Sequence, residues 1–179
     1  MKLTDDAERR YRKQDYVGAA RPIEGVEIVD LRRFHDDGGS MTELARLADG
    51  AIRGLPGFRP AQINYSTLEP GAVKAFHLHR AQTDVWFVPP EDRVLLVLAD
   101  AREGSPSAGA RMRLVLGDTR PALVRIPPGV AHGCRNVGRA TARIVYFTDL
   151  LFSPDPHTTD EGRLPWDWLG EEIWETARE

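Results

Sequence analysis

Residues 122–136 read "ALVRIPPGVAHGCRN": an apolar run ends at Ile126, Pro127 and Gly129 frame a turn, and a second run carries His132 and ends at Asn136. Proline presets φ for a tight turn and glycine removes the steric limit beside it, so two β-strands meet here. The second strand then delivers His132 toward the mouth of whatever the strands enclose. From residue 61 onward the same grammar repeats. Short runs rich in Val, Ile, Leu and aromatics alternate with Gly/Pro/Asp clusters, which predicts strands near 61–67, 73–79, 84–88, 93–100, 111–116, 122–126, 132–137 and 143–148. Many short strands without intervening helical patterns define an all-β class, and a jelly-roll β-barrel is the natural closure.

The flanks differ from this core. "VEIVDL" at 26–31 reads as a strand, whereas "MTELARLADGAIRG" at 41–54 spaces Met41, Leu44, Leu47 and Ile52 as on a helix, with Ser40 and Glu43 placed as a capping box. A short N-terminal helix is therefore expected there, and a short C-terminal helix in "LPWDWLGEEIWETARE", whose tryptophans cover a core edge. Residues 1–60 are read as an extension of the same domain, 61–150 as the barrel core, and 151–179 as a loop and helix packed on it. One domain suits 179 residues.

Composition limits the partners. With a net charge of -3 and 24 Lys+Arg spread without a basic run, nothing favours nucleic acid or an anionic membrane surface. The longest apolar run, "VLLVLA" at 94–99, falls far short of the about 20 residues that cross a bilayer. The single cysteine, Cys134, cannot form an intrachain disulfide, and the amino terminus has no apolar secretion core, so a cytoplasmic protein acting on a small molecule is expected.

A second histidine motif lies upstream. In "AFHLHRAQTDVWFV", residues 75–88, His77 and His79 are two apart and share one face of a strand, and Asp84 opens the next apolar run. His35 and His157 stand alone and read as surface residues; Cys134 reads as a small buried strand residue.

These two motifs resemble those of the cupin superfamily, His-x-His with a following acid and Pro-x-Gly-x-x-His-x-x-x-Asn. Residues 61 to about 168 resemble more closely the dTDP-4-dehydrorhamnose 3,5-epimerase family. "QINYS" at 62–66, "KAFH" at 74–77, "SPSAGARMRLVLGDTRPALVRIPPGVAHG" at 105–133 and "IVYFTDLLFSP" at 144–154 carry the resemblance in order. It implies His77 as the base, Tyr146 as the acid on the opposite face, and Asp167 of "LPWDW" as the carboxylate that orients His77. It also implies Lys74 near the sugar, with Gln62, Asn64 and His132 as further substrate contacts, a nucleotide-sugar substrate, a homodimer and no required cofactor.

Three departures bear on that reading. Asp84 stands where the family has a lysine near the enolate oxygen, His79 is gained, and "DDGG" at 36–39 puts Gly38 where an arginine meets the nucleotide diphosphate. His77, His79, Asp84 and His132 form a three-histidine, one-carboxylate set suited to Fe, Mn, Ni or Zn, with Glu69 and Glu91 as weaker candidates. The leading expectation is an epimerase or isomerase of a nucleotide-activated 4-keto-6-deoxy sugar. Its rivals are a metal-dependent cupin enzyme, an isomerase or oxygenase, and a non-catalytic sugar-binding cupin.

Overall fold

A computed structural model describes residues 2–11 and 21–176. A one-and-a-half-turn helix, α1 (Asp5–Arg10), is capped by Thr4, whose hydroxyl accepts the Ala7 N–H at 3.3 Å. The strands are β1 (Glu27–Asp30), β2 (Arg33–Asp36), β3 (Gly39–Thr42), β4 (Leu47–Ala48), β5 (Ala51–Ile52), β6 (Gln62–Leu68), β7 (Val73–Leu78) and β8 (Asp84–Phe87). They continue as β9 (Arg93–Asp100), β10 (Arg111–Gly117), β11 (Ala122–Ile126), β12 (Val130–Asn136), β13 (Ala142–Thr148) and β14 (Gly162–Arg163). A 3-10 turn at Glu171–Trp174 follows.

Two five-stranded antiparallel sheets, ordered β1-β11-β8-β13-β6 and β10-β9-β12-β7-β14, face each other as a jelly roll. The inner core joins Trp86, Leu96, Leu98, Val124, Ile126, Val130 and Ile144. Each sheet is also covered from outside. Val85, Phe87, Leu123 and Phe147 pack under Ile52, Leu55 and Phe58, while Phe76, Leu95, Val97 and Ala131 pack under Leu169 and Trp174. That double covering explains why residues 94–99 are apolar throughout: Val94, Leu96 and Leu98 face inward, Leu95, Val97 and Ala99 outward, and all are buried.

The helix expected at 41–54 is not formed. Those residues make the end of the β2–β3 hairpin and the whole of the β4–β5 hairpin, in which Ala48 pairs with Ala51 across Asp49–Gly50. Asp49 and Gly50 have φ of 51° and 77°, the double left-handed turn that Asp-Gly favours in two-residue hairpins. Ser40 is no helix cap; its hydroxyl accepts the Arg33 Nε–H at 2.9 Å. The short N-terminal helix lies instead at Asp5–Arg10. At the other end, the expected helix is the single 3-10 turn, which buries Trp174 while Trp166 and Trp168 remain exposed. Among the described residues no helix is long and apolar enough to cross a membrane.

One glycine governs the contact between β7 and β12. Their register shifts between His132 and Cys134, and a Cβ on the intervening Gly133 would clash with the Ala75 Cβ and meet the Trp174 ring at 3.0 Å. Overpacking a filled core costs about 1–3 kcal/mol, so Gly133→Ala should lower the unfolding free energy by that amount in urea denaturation.

Candidate active site

The adjacent antiparallel strands β7 and β12 place His77 directly opposite His132, and the two imidazoles stack with centroids 5.6 Å apart and planes 12° from parallel. His79 lies just beyond β7, with its ring 5.4 Å from that of His132. Asp84, which begins β8, and Tyr146, on β13, belong to the facing sheet. Between the two walls is a cavity of about 470 Å³ lined by Lys74, His77, His79, Asp84, Tyr146, Glu161 and Arg163, among others. The two distant histidine motifs therefore converge inside the barrel, whereas His35 and His157 are exposed.

His77 is oriented by a residue that sequence reasoning missed. Its Nδ1 lies 2.6 Å from Glu161 Oε1; the carboxylate accepts, so Nδ1 carries the proton and Nε2 is the basic nitrogen. Asp167 does not fill this role, because it is exposed on the turn before the 3-10 segment, where its carbonyl accepts the Gly170 N–H. Burial lowers the His77 pKa below the ordinary imidazole value; Glu161 opposes the shift, and His132 and Arg163 add to it. Burial acts to raise the Glu161 pKa, but bonding to His77 and the nearby positive groups bring it below the usual carboxylate value, so the group is ionised. Arg163 Nε lies 3.0 Å from Glu161 Oε1.

Glu161 owes its place to β14, two residues long, in which Arg163 pairs with His77 and Gly162 with Leu78. The neighbouring Asp160 carboxylate accepts the backbone N–H groups of Arg80, Ala81 and Gln82 at 3.1, 2.9 and 2.8 Å. Its carbonyl oxygen accepts from His79 Nδ1 at 3.0 Å. The segment 160–163 thus clamps both histidines from outside the barrel motifs. Its only sequence signal is a pair of acids before a glycine.

Asp84 is buried and receives N–H bonds from Gln82 Nε2 at 2.7 Å and from Trp86 Nε1 at 3.1 Å. Burial acts to raise its pKa, yet the two nearby imidazoles and the Trp86 N–H outweigh burial and hold the carboxyl at about 2. His132 Nε2 lies 3.5 Å from Asp84 Oδ2, a close approach without the direction of a hydrogen bond. Of the four residues expected to bind metal, three bring donor atoms within 4.8 Å of one another: His79, Asp84 and His132. His77 stands outside that group, its Nδ1 bonded to Glu161. Glu69 and Glu91 are elsewhere, bonded to Thr141 and Arg33.

Lys74 lines the cavity with its ammonium donating to Ser66 Oγ at 3.3 Å and to the Thr67 carbonyl at 3.0 Å. Gln62 and Asn64 bond each other at 2.7 Å and line an adjoining recess of about 320 Å³ that also reaches Tyr146 and Glu161. Burial and the Asp84 and Glu161 charges raise the Tyr146 pKa above its ordinary value. Cys134 is buried, and its thiol is pushed up to about 12. Gly38 sits in the β2–β3 turn, its N–H donated to the Asp36 side chain.

Comparison with known proteins agrees with this architecture. The family model described as dTDP-4-dehydrorhamnose 3,5-epimerase matches residues 20–168. The chain is 38% identical over 145 residues to the spore coat polysaccharide biosynthesis protein SpsL of Bacillus subtilis, covering 81% of this chain and 91% of that one. It is 32% identical over 146 residues to the probable low-salt glycan biosynthesis epimerase Agl13 of Haloferax volcanii, covering 81% and 89%. Among solved structures, a dTDP sugar isomerase from Desulfovibrio desulfuricans superposes with a TM-score of 0.71 at 30% identity, covering 82% of this chain and 88% of that one.

Proposed function

The chain belongs to the dTDP-4-dehydrorhamnose 3,5-epimerase family, a family of cupin-fold enzymes, and from that premise we propose how its own residues work. The substrate is a nucleotide-activated 4-keto-6-deoxy sugar. The carrying observation is the Glu161–His77 pair on one wall of the cavity with Tyr146 on the other. Inverting a carbon beside a ketone requires a base to take its proton from one face and an acid to return one to the opposite face. His77 Nε2 is the base, held in that tautomer by Glu161, which also stabilises the imidazolium that forms. Tyr146 is the acid. Lys74 meets the sugar, and Gln62 and Asn64 hold the substrate in the adjoining recess.

We also read the protein as a cytoplasmic homodimer. The lone buried cysteine supports the first part, and exposed Phe34, Met41, Ile63 and Tyr65 support the second.

The test is deuterium wash-in from D2O at the carbons flanking the ketone of a dTDP-4-keto-6-deoxy sugar, followed by NMR across pH. A base must be deprotonated, and the His77 pKa lies below 6.5; activity should therefore hold as pH drops through 6.5 and fall only below it. The acid must be protonated, and the Tyr146 pKa lies above 10.0, so the alkaline limb should begin beyond that value. Because Glu161 raises the His77 pKa, Glu161→Gln should move the acid limb to still lower pH. An acid limb at or above 6.5, or no exchange at any pH, overturns the assignment.

A further inference from the structure

Removing the proton beside a ketone builds negative charge on the ketone oxygen, and something positive must meet it. The positive side chains lining the cavity are already engaged: Lys74 with β6 and Arg163 with Glu161. Buried between the walls is instead a carboxylate, Asp84.

The hydrogen bonds around Asp84 define what belongs beside it. His79 Nδ1 faces the Asp160 carbonyl at 3.0 Å and His132 Nδ1 faces the Val130 carbonyl at 3.1 Å. A carbonyl only accepts, so both Nδ1 atoms carry protons and, in neutral imidazoles, both Nε2 atoms present lone pairs. His79 Nε2 lies 3.9 Å from Asp84 Oδ1, and His132 Nε2 lies 3.5 Å from Oδ2. The His132 side chain is 2% exposed, and its Nε2 has no hydrogen-bond partner. Three lone-pair donors thus converge on one point from two sheets. One added proton satisfies a single imidazole–carboxylate pair; a cation satisfies all three donors.

We propose that His79 Nε2, Asp84 Oδ and His132 Nε2 bind a divalent first-row transition ion that polarises the substrate ketone, an inference that rests on the epimerase reading for its role in the reaction but not for the site itself. Ligand bonds of about 2.1 Å put neighbouring donors about 3.0–3.4 Å apart, so three donors that already lie within 4.8 Å of one another close on an ion with side-chain shifts of up to about 1 Å each. Backbone carbonyls on both Nδ1 atoms, with the Trp86 N–H on the carboxylate, are the outer contacts that orient metal ligands. Two imidazoles and one carboxylate leave coordination positions for the ketone oxygen. Glu161 Oε2 also lies 3.7 Å from His79 Nε2, but its charge is paired with Arg163 at 3.0 Å, so a divalent ion on the Asp84 carboxylate leaves a net single positive charge where the oxygen develops its negative one. The Gln82 amide, 2.7 Å from Asp84 Oδ1 and 3.4 Å from His79 Nε2, turns aside when the ion enters. His77, outside the group, stays available as base.

The experiment strips the full chain with a chelator and titrates it with Co2+, reading visible ligand-field absorption, and with Zn2+ by calorimetry. One ion per chain is expected, with affinity reduced more than about 100-fold in both His132→Ala and the nearly isosteric Asp84→Asn, circular dichroism confirming that each variant is folded. Asp84→Asn keeps the proposal testable if His132→Ala fails to fold. Deuterium wash-in is measured on the same samples. Exchange without stoichiometric metal binding overturns the site and leaves the epimerase reading standing. Binding that survives both substitutions places the ion elsewhere and also overturns it. Binding that is lost in both variants, in a protein that exchanges no deuterium, upholds the site and removes the epimerase reading.

Discussion

His77→Asn lowers kcat/KM for epimerisation by about 10²–10⁴-fold, the usual contribution of a positioned general base, and removes deuterium wash-in to the same degree. The substitution is informative because it isolates the proton transfer. His77 donates one hydrogen bond, to Glu161, which keeps its contact with Arg163 when the imidazole is gone. Its Cα partner His132 remains in the same register, and Phe76, which fills the outer core next to it, is untouched. The thermal midpoint should therefore move little while activity collapses. Asn also lacks a group that ionises near neutral pH, so residual activity should lose the acid limb assigned to His77. Wash-in at the wild-type rate would mean that another group removes the proton, and the assignment would fail.

The strands from residue 62 to 148 could be read from sequence because two physical signals agree there. Turn residues break the chain at regular intervals, and the intervening runs are too short for helices. The eight expected strands fall within about two residues of the observed ones. Residues 41–54 misled because a three-residue apolar spacing on a short segment suits either a helix or a hairpin packed from one side. Leu44 and Ile52 do face the core beneath the first sheet, but Asp49–Gly50 turns the chain between them. The local turn chemistry outweighed the periodicity. Of the C-terminal tryptophans, Trp174 is the one that covers a core edge as expected, closing over Phe76 at a centroid distance of 5.1 Å, while Trp166 and Trp168 stay exposed and the helix shortens to a single turn.

The site divides along the same line. His77, Asp84, His132 and Tyr146 lie on strands and His79 directly follows one, so the two-residue period decides which side chains face the cavity, and all five reach it or its buried floor. Glu161 directly precedes a two-residue strand whose position depends on Asp160 capping the 80–82 backbone, a long-range contact with no periodic trace. Asp167 follows from resemblance to the family's C-terminal Trp-x-Asp segment, from which it is displaced by one residue. Its exposure shows that nearness in sequence to the expected position did not bring it to the imidazole.

Tyr146→Phe should separate two events that His77→Asn removes together. Phenylalanine keeps the ring contact with Trp86, now at a centroid distance of 6.1 Å, so the wall of the cavity stands. The phenol is lost as a proton donor. Since its pKa is raised by burial and by the Asp84 and Glu161 charges, the wild-type group is protonated throughout the neutral range and serves as acid without prior titration. In the variant, His77 still removes the substrate proton, and its conjugate acid can return a solvent-derived deuteron only from its own wall. Wash-in should persist within about tenfold of the wild-type rate, whereas inversion falls by about 10²–10⁴-fold. NMR reads both on one sample, as deuterium content of recovered substrate and as amount of inverted product. The ratio of exchange to inversion is decisive because a disturbed pocket lowers both together. If the ratio stays at the wild-type value, Tyr146 only shapes the cavity, and the returning proton must come from elsewhere on the facing sheet.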